Sequence, residues 1–414
     1  MLKRILIASV LLVTLALPLA LYAQEGDLPD MVLAAHPGLH PEGIDWDAER
    51  GVFVTGSLTE GGVFTVADDG TVTQLGEGHE GLASTGVHVD AERNRVLATM
   101  PDFSATQDPE APGSAALAAY DLDTGEELFF TDLTDLDPGR DFANDVTVDA
   151  EGNAYFTTSF SGVIYRVDPE GNGEIFLSSD EFAVEGFGLN GIDYHPEGNY
   201  LLVAVAGTGS LYKVPLDDPE SFSQVALDAS VSIDGMVLAD DGMRLFAVAS
   251  VDGAQAREVV VLRSEDDWES AIVAARQETQ SALAPTTLAV RDPGGIVYVT
   301  HAKFSEIGSD PPAESFEIQR FDFFDMTGDT APMEDEGEMS DDEAADEAGA
   351  DDMSAAHGDE LVNERCTVCH TRERIDMAEK SPEEWEATVD RMISNGAQLT
   401  PEERDVVVEY LSSR

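Results

Sequence analysis

Cysteine is almost absent from this chain of 414 residues, which contains only Cys366 and Cys369. One disulfide is therefore the most that the chain can form, and its fold has to depend on a buried core. Apolar residues make up 43% of the sequence, which is enough for such a core. The length allows one large domain and a small one, or two domains of middling size.

Positive charge is scarce. The chain has 22 Lys and Arg residues against 83 Asp and Glu, a formal net charge of −61, and only four of these residues are lysines. Nucleic acids and anionic membrane surfaces both need positive charge on the protein, so this balance argues against both as partners. It suits a protein that lives in high salt or that docks a basic partner.

A long apolar run occurs only at the N-terminus. Lys3 and Arg4 precede an apolar stretch of 19 residues, from Ile5 to Ala23. This pattern predicts a secretory signal over residues 1–23 with cleavage after Ala23, and a retained membrane anchor is the alternative. Pro18 and the Leu-Tyr-Ala ending favour cleavage, which leaves no span in the mature chain. Both interpretations predict a periplasmic or secreted protein.

A strongly acidic tract divides the chain. Residues 325–357 have almost no aliphatic content, and 11 of the 19 residues from Glu334 to Asp352 are Asp or Glu. Like charges at this density repel one another and bury too little surface to fold. We therefore predict a disordered linker between a domain at 24–324 and a second domain at 358–414.

A repeated pattern fills the first domain. Its copies read "EGIDWDAERGVFVTG", "TGVHVDAERNRVLAT", "NDVTVDAEGNAYFTT", "NGIDYHPEGNYLLVA", "DGMVLADDGMRLFAV" and "TTLAVRDPGGIVYVT". Their first apolar residues are Ile44, Val87, Val146, Ile192, Met236 and Leu288, at intervals of 43, 59, 46, 44 and 52 residues. Six copies of short strands and Gly/Asp turns predict an all-β, six-bladed β-propeller.

The second domain has the pattern of a small all-α domain. "SPEEWEATVDRM" and "TPEERDVVVEYL" each begin with a capping box and a proline at the first helical position, which places helix starts at Pro382 and Pro401. Trp385 and Val389 share one helical face. A core of fewer than 60 residues is marginal alone, and a bound cofactor would complete it.

The cofactor is predicted by "ERCTVCH". C-x-x-C-H is the attachment sequence of covalent haem c, so we expect thioether bonds at Cys366 and Cys369 and His370 as the proximal iron ligand. The alternatives are a structural disulfide or a thioredoxin-like pair, which no other cysteine and no βαβ pattern supports, and a zinc site, which would need further ligands that this segment does not offer. This attachment occurs outside the cytoplasm, in agreement with the signal.

The second axial ligand has three candidates: Met377, Met392 and His357. Met377 lies only seven residues after His370, which makes a path around the haem edge awkward. Met392 precedes the "SNGAQ" turn and is our prediction, with core packing beside Trp385 as its alternative role. This stretch resembles small c-type cytochrome domains that carry "W…V..RM…GA.L…E…YL" after C-x-x-C-H.

A ring of polar residues is expected at the centre of the propeller, where the innermost strands converge. The positions two before the aligned apolar residues are Glu42, Thr85, Asn144, Asn190, Asp234 and Thr286. Two carboxylates and two amides there would form a hard-oxygen site for a divalent cation such as Ca²⁺. The alternative is that these residues only form turns before strands.

The blade motifs "EGIDWD", "NDVTVDAEGNAYFT", "NGIDYHPEGN" and "DGMVLADDGMRLF" resemble those of the regucalcin, gluconolactonase and luciferin-regenerating-enzyme family, across residues 38–303. The resemblance implies a six-bladed propeller with a divalent cation at its central mouth and lactone hydrolysis. It implies metal ligation by Glu42, Asn190 and Asp234, with Asp234 helping to activate water, and substrate contacts from Asn144 and Asp145.

The chain departs from this family at one place. The sugar-acid enzymes often carry a basic Arg-Pro pair before "ND", where this chain has Phe142 and Ala143, and Arg140 lies out of register. The substrate therefore stays open. Three functions fit the sequence: a haem-bearing lactone or ester hydrolase, an oxidoreductase that passes electrons from the propeller to the haem, and an electron carrier with a non-catalytic docking propeller.

Overall fold

The computed structural model describes residues 28–323 except 109, 138, 185, 293 and 294, together with residues 361, 362, 380, 385, 388, 389 and 401–412. Some predictions lie outside these residues: the signal over 1–23, the linker over 325–357, and the haem residues Cys366, Cys369, His370 and Met392 with the alternatives Met377 and His357. In the described part of the chain, no helix is both long and apolar enough to span a membrane.

Six β-sheets follow one another along the chain and form the blades of the propeller. The first blade consists of β2 (Ile44–Asp47), β3 (Val52–Thr55), β4 (Val63–Val66) and β5 (Val72–Gly76). The second consists of β6 (Val87–Asp90), β7 (Arg95–Thr99), β9 (Ala116–Asp121) and β10 (Glu127–Asp132). The third consists of β11 (Asp141–Val148), β12 (Ala154–Thr158), β13 (Val163–Val167) and β14 (Gly173–Ser178), with β8 (Gly113–Ser114) parallel to β11.

The remaining blades complete the ring. The fourth consists of β15 (Leu189–His195), β16 (Tyr200–Val205), β17 (Ser210–Pro215) and β18 (Ser223–Gln224). The fifth consists of β20 (Val231–Leu238), β21 (Arg244–Val251), β22 (Glu258–Arg263) and β23 (Ser270–Glu278), with β19 (Ala226–Leu227) parallel to β23. The sixth consists of β24 (Pro285–Asp292), β25 (Ile296–His301), β26 (Phe316–Asp322) and β1 (Met31–Ala34). Short 3₁₀ helices lie at Ala91–Arg93, Phe103–Thr106, Thr134–Leu136, Pro219–Ser221, Ser281–Leu283 and Phe304–Glu306.

The first strand of the chain closes the ring. β1 pairs antiparallel with β26, so that Met31 lies opposite Gln319 and Ala34 opposite Phe316. Val32, within β1, is buried. Joining both ends of the propeller in one sheet fastens the first blade to the last, and this pairing holds the ring together.

Hydrophobic clusters fill the spaces between consecutive blades. Along β3, Phe53 packs with Tyr298 of the sixth blade, whereas its neighbour Val54 packs with Val96 of the second. Successive side chains of a strand point to opposite faces, so each central strand is buried on both sides. This explains the continuous apolar runs in the repeats, and all six aligned residues lie in innermost strands, as predicted.

Glycine permits the innermost strands to approach one another closely. A Cβ atom on Gly43 would lie 2.3 Å from the carbonyl oxygen of Thr85 in the next blade, and one on Gly86 would lie 2.5 Å from that of Asn144. Both distances are shorter than any normal contact. The glycine that follows the first polar residue of these repeats is therefore needed for blade packing.

The C-terminal part contains the predicted helix α1 (Pro401–Ser412), which begins at the proline expected from its capping box. Val407 and Leu411 of this helix are buried in one cluster with Trp385 and Val389. Leu361 and Val362 belong to the same cluster. These residues of the predicted helices thus pack together, while the prediction of a complete all-α domain concerns residues outside the described ones.

Asp141 supplies a test of the propeller's stability. This carboxyl is fully buried at the start of β11 and accepts a hydrogen bond of 2.5 Å from Ser161 Oγ. Burial raises the pKa of Asp141 to about 6 despite that bond. Folding therefore favours the protonated form, and the stability that this form contributes is present below pH 4 and lost as pH rises through 6.

We expect wild type to lose about 2 to 3 kcal/mol relative to Asp141→Asn between pH 4 and pH 7, because asparagine does not ionise. Urea unfolding at both pH values measures this difference. The exposed Asp180→Asn is the control and should follow wild type. Parallel pH profiles for wild type and Asp141→Asn would contradict the assignment.

Candidate functional site

A cavity of about 630 Å³ opens on the propeller axis. It lies at the face where the innermost strands begin, and loops between second and third strands surround it. Its polar lining contains five of the six residues predicted from the repeats, together with an unpredicted arginine: Glu42, Thr85, Asn144, Asn190, Asp234 and Arg257. The sequence therefore located the cavity correctly.

β-Bulges aim several of these residues at the axis. In β11, β15, β20 and β24 the register with the second strand shifts across the two residues that begin with Asn144, Asn190, Asp234 and Thr286, respectively. A bulge bends the strand and redirects a side chain, which is why bulges are frequent beside functional sites. The same irregularity in four blades gives the ring its convergent geometry.

Two asparagines line the cavity and donate hydrogen bonds within the protein through their amide nitrogens. Asn144 donates a hydrogen bond of 2.8 Å from Nδ2 to Ser159 Oγ, and Asn190 donates one of 2.9 Å from Nδ2 to Asp234 Oδ1. An asparagine bound through its amide nitrogen keeps its amide oxygen as an acceptor. Such an oxygen suits a cation or a hydrogen-bond donor.

Asp234 is held by an arginine that sequence reasoning missed. Arg257 donates hydrogen bonds to Asp234 Oδ2 and, at 2.6 Å, to the carbonyl oxygen of Pro285. Arg257 is the last residue of the loop between β21 and β22, and this loop reaches the cavity. The repeat pattern covers only the innermost strands and therefore does not predict this residue. Burial raises the pKa of Asp234, and the positive charge of Arg257 and the hydrogen bond from Asn190 oppose that rise.

Glu42 is the less constrained carboxylate. Among the described residues, no donor makes a hydrogen bond to its side chain, which lies partly buried at the cavity wall. Burial raises the pKa of Glu42 well above its usual value. The negative charges of Asp234 and Asp145 add to this rise, and Arg257 opposes it. A bound cation would relieve this repulsion.

The two threonines of the ring connect blades. Thr85 Oγ1 donates a hydrogen bond of 2.9 Å to the carbonyl oxygen of Ala143 in the third blade. Thr286 Oγ1 donates one of 2.6 Å to the carbonyl oxygen of Glu42 in the first. The six oxygen-bearing residues of the sequence pattern therefore divide into two structural hydroxyls and four groups available to a ligand.

Asp145, expected to contact substrate beside Asn144, is not among the residues that line the cavity. Its carboxylate accepts a hydrogen bond of 2.9 Å from the Val146 amide, and burial raises the pKa of Asp145 to about 8. Asp45 and Asp193, elsewhere on the innermost strands, each accept a backbone amide of the next blade. Asp145 therefore resembles Asp45 and Asp193 in accepting a backbone amide, whereas Asn144 lines the cavity.

The donor set fits a hard divalent cation. Glu42 and Asp234 provide carboxylate oxygens, Asn144 and Asn190 provide amide oxygens, and all four line one cavity. These are the ligand types that Ca²⁺ takes. Arg257 competes for Asp234, so a cation and the guanidinium would share that carboxylate.

Within the described residues, no group of three or more His, Cys, Asp or Glu side chains is arranged to hold a metal.

Comparison with known families concerns the C-terminus. Residues 356–414 match the family model described as "Quinohemoprotein amine dehydrogenase A, alpha subunit, haem binding". The match contains the C-x-x-C-H sequence and helix α1. A comparison with curated proteins finds no match in sequence.

Comparison with solved structures concerns the propeller. The major allergen Mala s 1 of Malassezia sympodialis is 18% identical, with a TM-score of 0.58, over 71% of this chain and 96% of that one. Regucalcin of Agrobacterium tumefaciens is 18% identical (TM-score 0.47; 70% and 93%), and a gluconolactonase of Xanthomonas campestris is 15% identical (0.45; 70% and 88%). The expected resemblance is thus found, and identities this low show the fold alone.

Removing one carboxylate should weaken cation binding. We expect Glu42→Gln and Asp234→Asn each to lower calcium affinity at least tenfold, because each loses a charged ligand. Calorimetric titration of calcium into the intact chain measures this, with enough sodium chloride to screen the acidic tract. The exposed Glu126→Gln should bind as wild type does. Equal affinity in all four proteins would refute the site.

Proposed function

We propose that this chain is a haem-bearing protein whose propeller hydrolyses a lactone or ester in the axial cavity, with a divalent cation, preferably Ca²⁺, as cofactor. One observation carries the proposal: two carboxyl groups and two side-chain amides line one cavity that is large enough for a small molecule. Glu42, Asn144, Asn190 and Asp234 are the proposed ligands.

The cation, when bound, would polarise the substrate carbonyl and stabilise the oxyanion. Residues of the chain would hold the proton acceptor and the substrate in position. Arg257 and Asn190 hold Asp234 by both oxygens, so this carboxylate faces the reacting group in one orientation and is the proposed acceptor of the proton from water. Asn144 is fixed by Ser159 and would orient the substrate.

The C-terminal segment would carry one covalent haem c. Cys366 and Cys369 are the proposed thioether positions, His370 the proximal ligand and Met392 the second axial ligand. The match of residues 356–414 to a haem-binding family supports haem, and the spacing of the two cysteines supports covalent attachment. The N-terminal signal pattern supports a periplasmic or secreted location.

The haem would exchange electrons with a basic redox protein. The net charge of −61 favours a partner of opposite sign, through faster encounter and complementary docking. An acidic tether between propeller and haem segment would let the haem reach partners at raised effective concentration. In a third alternative, the propeller is a non-catalytic docking module. The chain would then be an electron carrier that has the same redox partner and binds no substrate.

An oxidoreductase is the second candidate. The family matched at the C-terminus takes its name from an amine dehydrogenase, and here the match lies on the same chain as a cavity for a small molecule. In such a protein a substrate oxidised at the propeller would reduce the haem. Hydrolysis is preferred because the cavity's charged groups match cation-assisted carbonyl chemistry without a further cofactor.

Calcium-dependent lactone hydrolysis tests the preferred function. We expect turnover that chelation of calcium abolishes, and a loss of at least a hundredfold in kcat/KM for Asp234→Asn, because a proton acceptor contributes about this much. Glu126→Gln is the matched control. The oxidised haem spectrum, recorded anaerobically with the same lactones, should not change. Reduction of the haem on substrate addition would instead favour the oxidoreductase.

The haem assignment has its own test. Protein exported to the periplasm should show a c-type pyridine haemochrome with one haem per chain, retained after acid–acetone extraction. Cys366→Ala with Cys369→Ala should lose the covalent haem while the propeller's urea unfolding stays unchanged. A wild-type protein without a c-type band would refute this part of the proposal.

A further inference from the structure

The mouth of the cavity has an apolar wall on the side of the sixth, first and second blades. Leu58, Phe103 and Ile307 come from loops that join second and third strands, and they pack in one small cluster with Ala83 and Ala302. Phe304 begins a 3₁₀ helix beside them and also lines the cavity. The wall thus belongs to the fold and is not a single exposed side chain.

A second apolar wall is contributed by the third and fourth blades, across the ring from the first. Phe142 and Phe187 line the cavity with ring centroids 5.9 Å apart, nearly perpendicular. Phe160 lies 5.0 Å from Phe187, and the guanidinium of Arg140 lies 4.0 Å above the Phe160 ring. Aromatic and cation–π contacts of this kind hold the rings in place.

Two of these rings are exposed to the cavity. Phe187 is 44% exposed and Phe304 is 41% exposed. These large apolar side chains are exposed in a chain whose net charge is −61. Large apolar surfaces that face a cavity commonly mark a binding site.

We propose that the cavity takes a substrate that combines a carbonyl group with an aromatic ring, an aryl-substituted lactone or ester and not a polyhydroxylated sugar lactone. The aromatic body lies between the two walls, and the carbonyl faces Asn144, Asn190 and Asp234. Sugar hydroxyls placed against these rings would lose hydrogen bonds to water that the rings cannot replace. The carbonyl chemistry rests on the proposed function, whereas the preference for a ring rests on the walls.

A matched pair of ligands tests the preference. Dihydrocoumarin and glucono-1,5-lactone share a six-membered lactone and differ in carrying a benzene ring or hydroxyl groups. Their lactams resist hydrolysis and report binding alone by calorimetry with the intact chain. We expect the benzo-fused lactam to bind at least tenfold more tightly than the sugar lactam, whether or not either lactone is hydrolysed.

Variants of the exposed rings link the preference to the walls. Phe187→Ala and Phe304→Ala should each weaken the benzo-fused lactam about threefold to tenfold and leave the sugar lactam within twofold, because one aromatic contact is lost. Leu128→Ala, 50% exposed on β10, is the control and should change neither. Urea unfolding of each variant confirms that the propeller stays folded.

Equal or tighter binding of the sugar lactam, or full affinity for the benzo-fused lactam in both phenylalanine variants, would overturn the inference. Tight, ring-dependent binding without hydrolysis of either lactone would uphold it and refute only the proposed hydrolase activity. Hydrolysis of both lactones at equal efficiency, with equal binding, would refute the ring preference and leave the hydrolase proposal in place.

Discussion

The close approach of six innermost strands at one axis is the constraint on which this structure depends. Gly43 and Gly86 lie against the backbone of the following blade at distances that exclude a Cβ atom. Threonine hydroxyls on the same strands donate to carbonyl oxygens of neighbouring blades. The pairing of β1 with β26 then closes the ring. Strands held this closely bring polar residues from distant repeats into one cavity.

The charges of the cavity follow from the same convergence. Burial raises the pKa values of both Glu42 and Asp234, and the negative charge of Asp234 adds to the rise for Glu42. A single guanidinium offsets part of the repulsion, because Arg257 reaches the axis from a loop and binds Asp234. Two carboxyl groups thus face one guanidinium, and a bound cation would favour the ionised form of both.

The ring is complete before the acidic tract begins. Its last strand ends at Asp322, and its closing strand comes from the N-terminus, so the propeller needs no contribution from the haem-binding segment at 356–414. Under the proposed function, this arrangement gives one chain two separate roles: the cavity takes a small molecule, and the segment at 356–414 carries a haem.

Periodic features were predictable from the sequence. The six repeats identified the blades, their aligned residues identified the innermost strands, and the capping box identified the start of α1 at Pro401. Each depends on local spacing, which a single sequence displays. Five of the six residues predicted for the centre do line the cavity, because their position follows from the repeat itself.

Tertiary structure alone decided which polar groups serve a ligand and which serve the fold. Thr85 and Thr286 bond to carbonyl oxygens, Asp145 bonds to a backbone amide, and Arg257 joins Asp234 from a loop outside the repeat pattern. The aromatic walls likewise combine residues of different blades, such as Phe142 of β11 and Phe187 of the loop before β15. Such contacts depend on how blades pack around the axis, and loop positions carry no period from which the packing can be read.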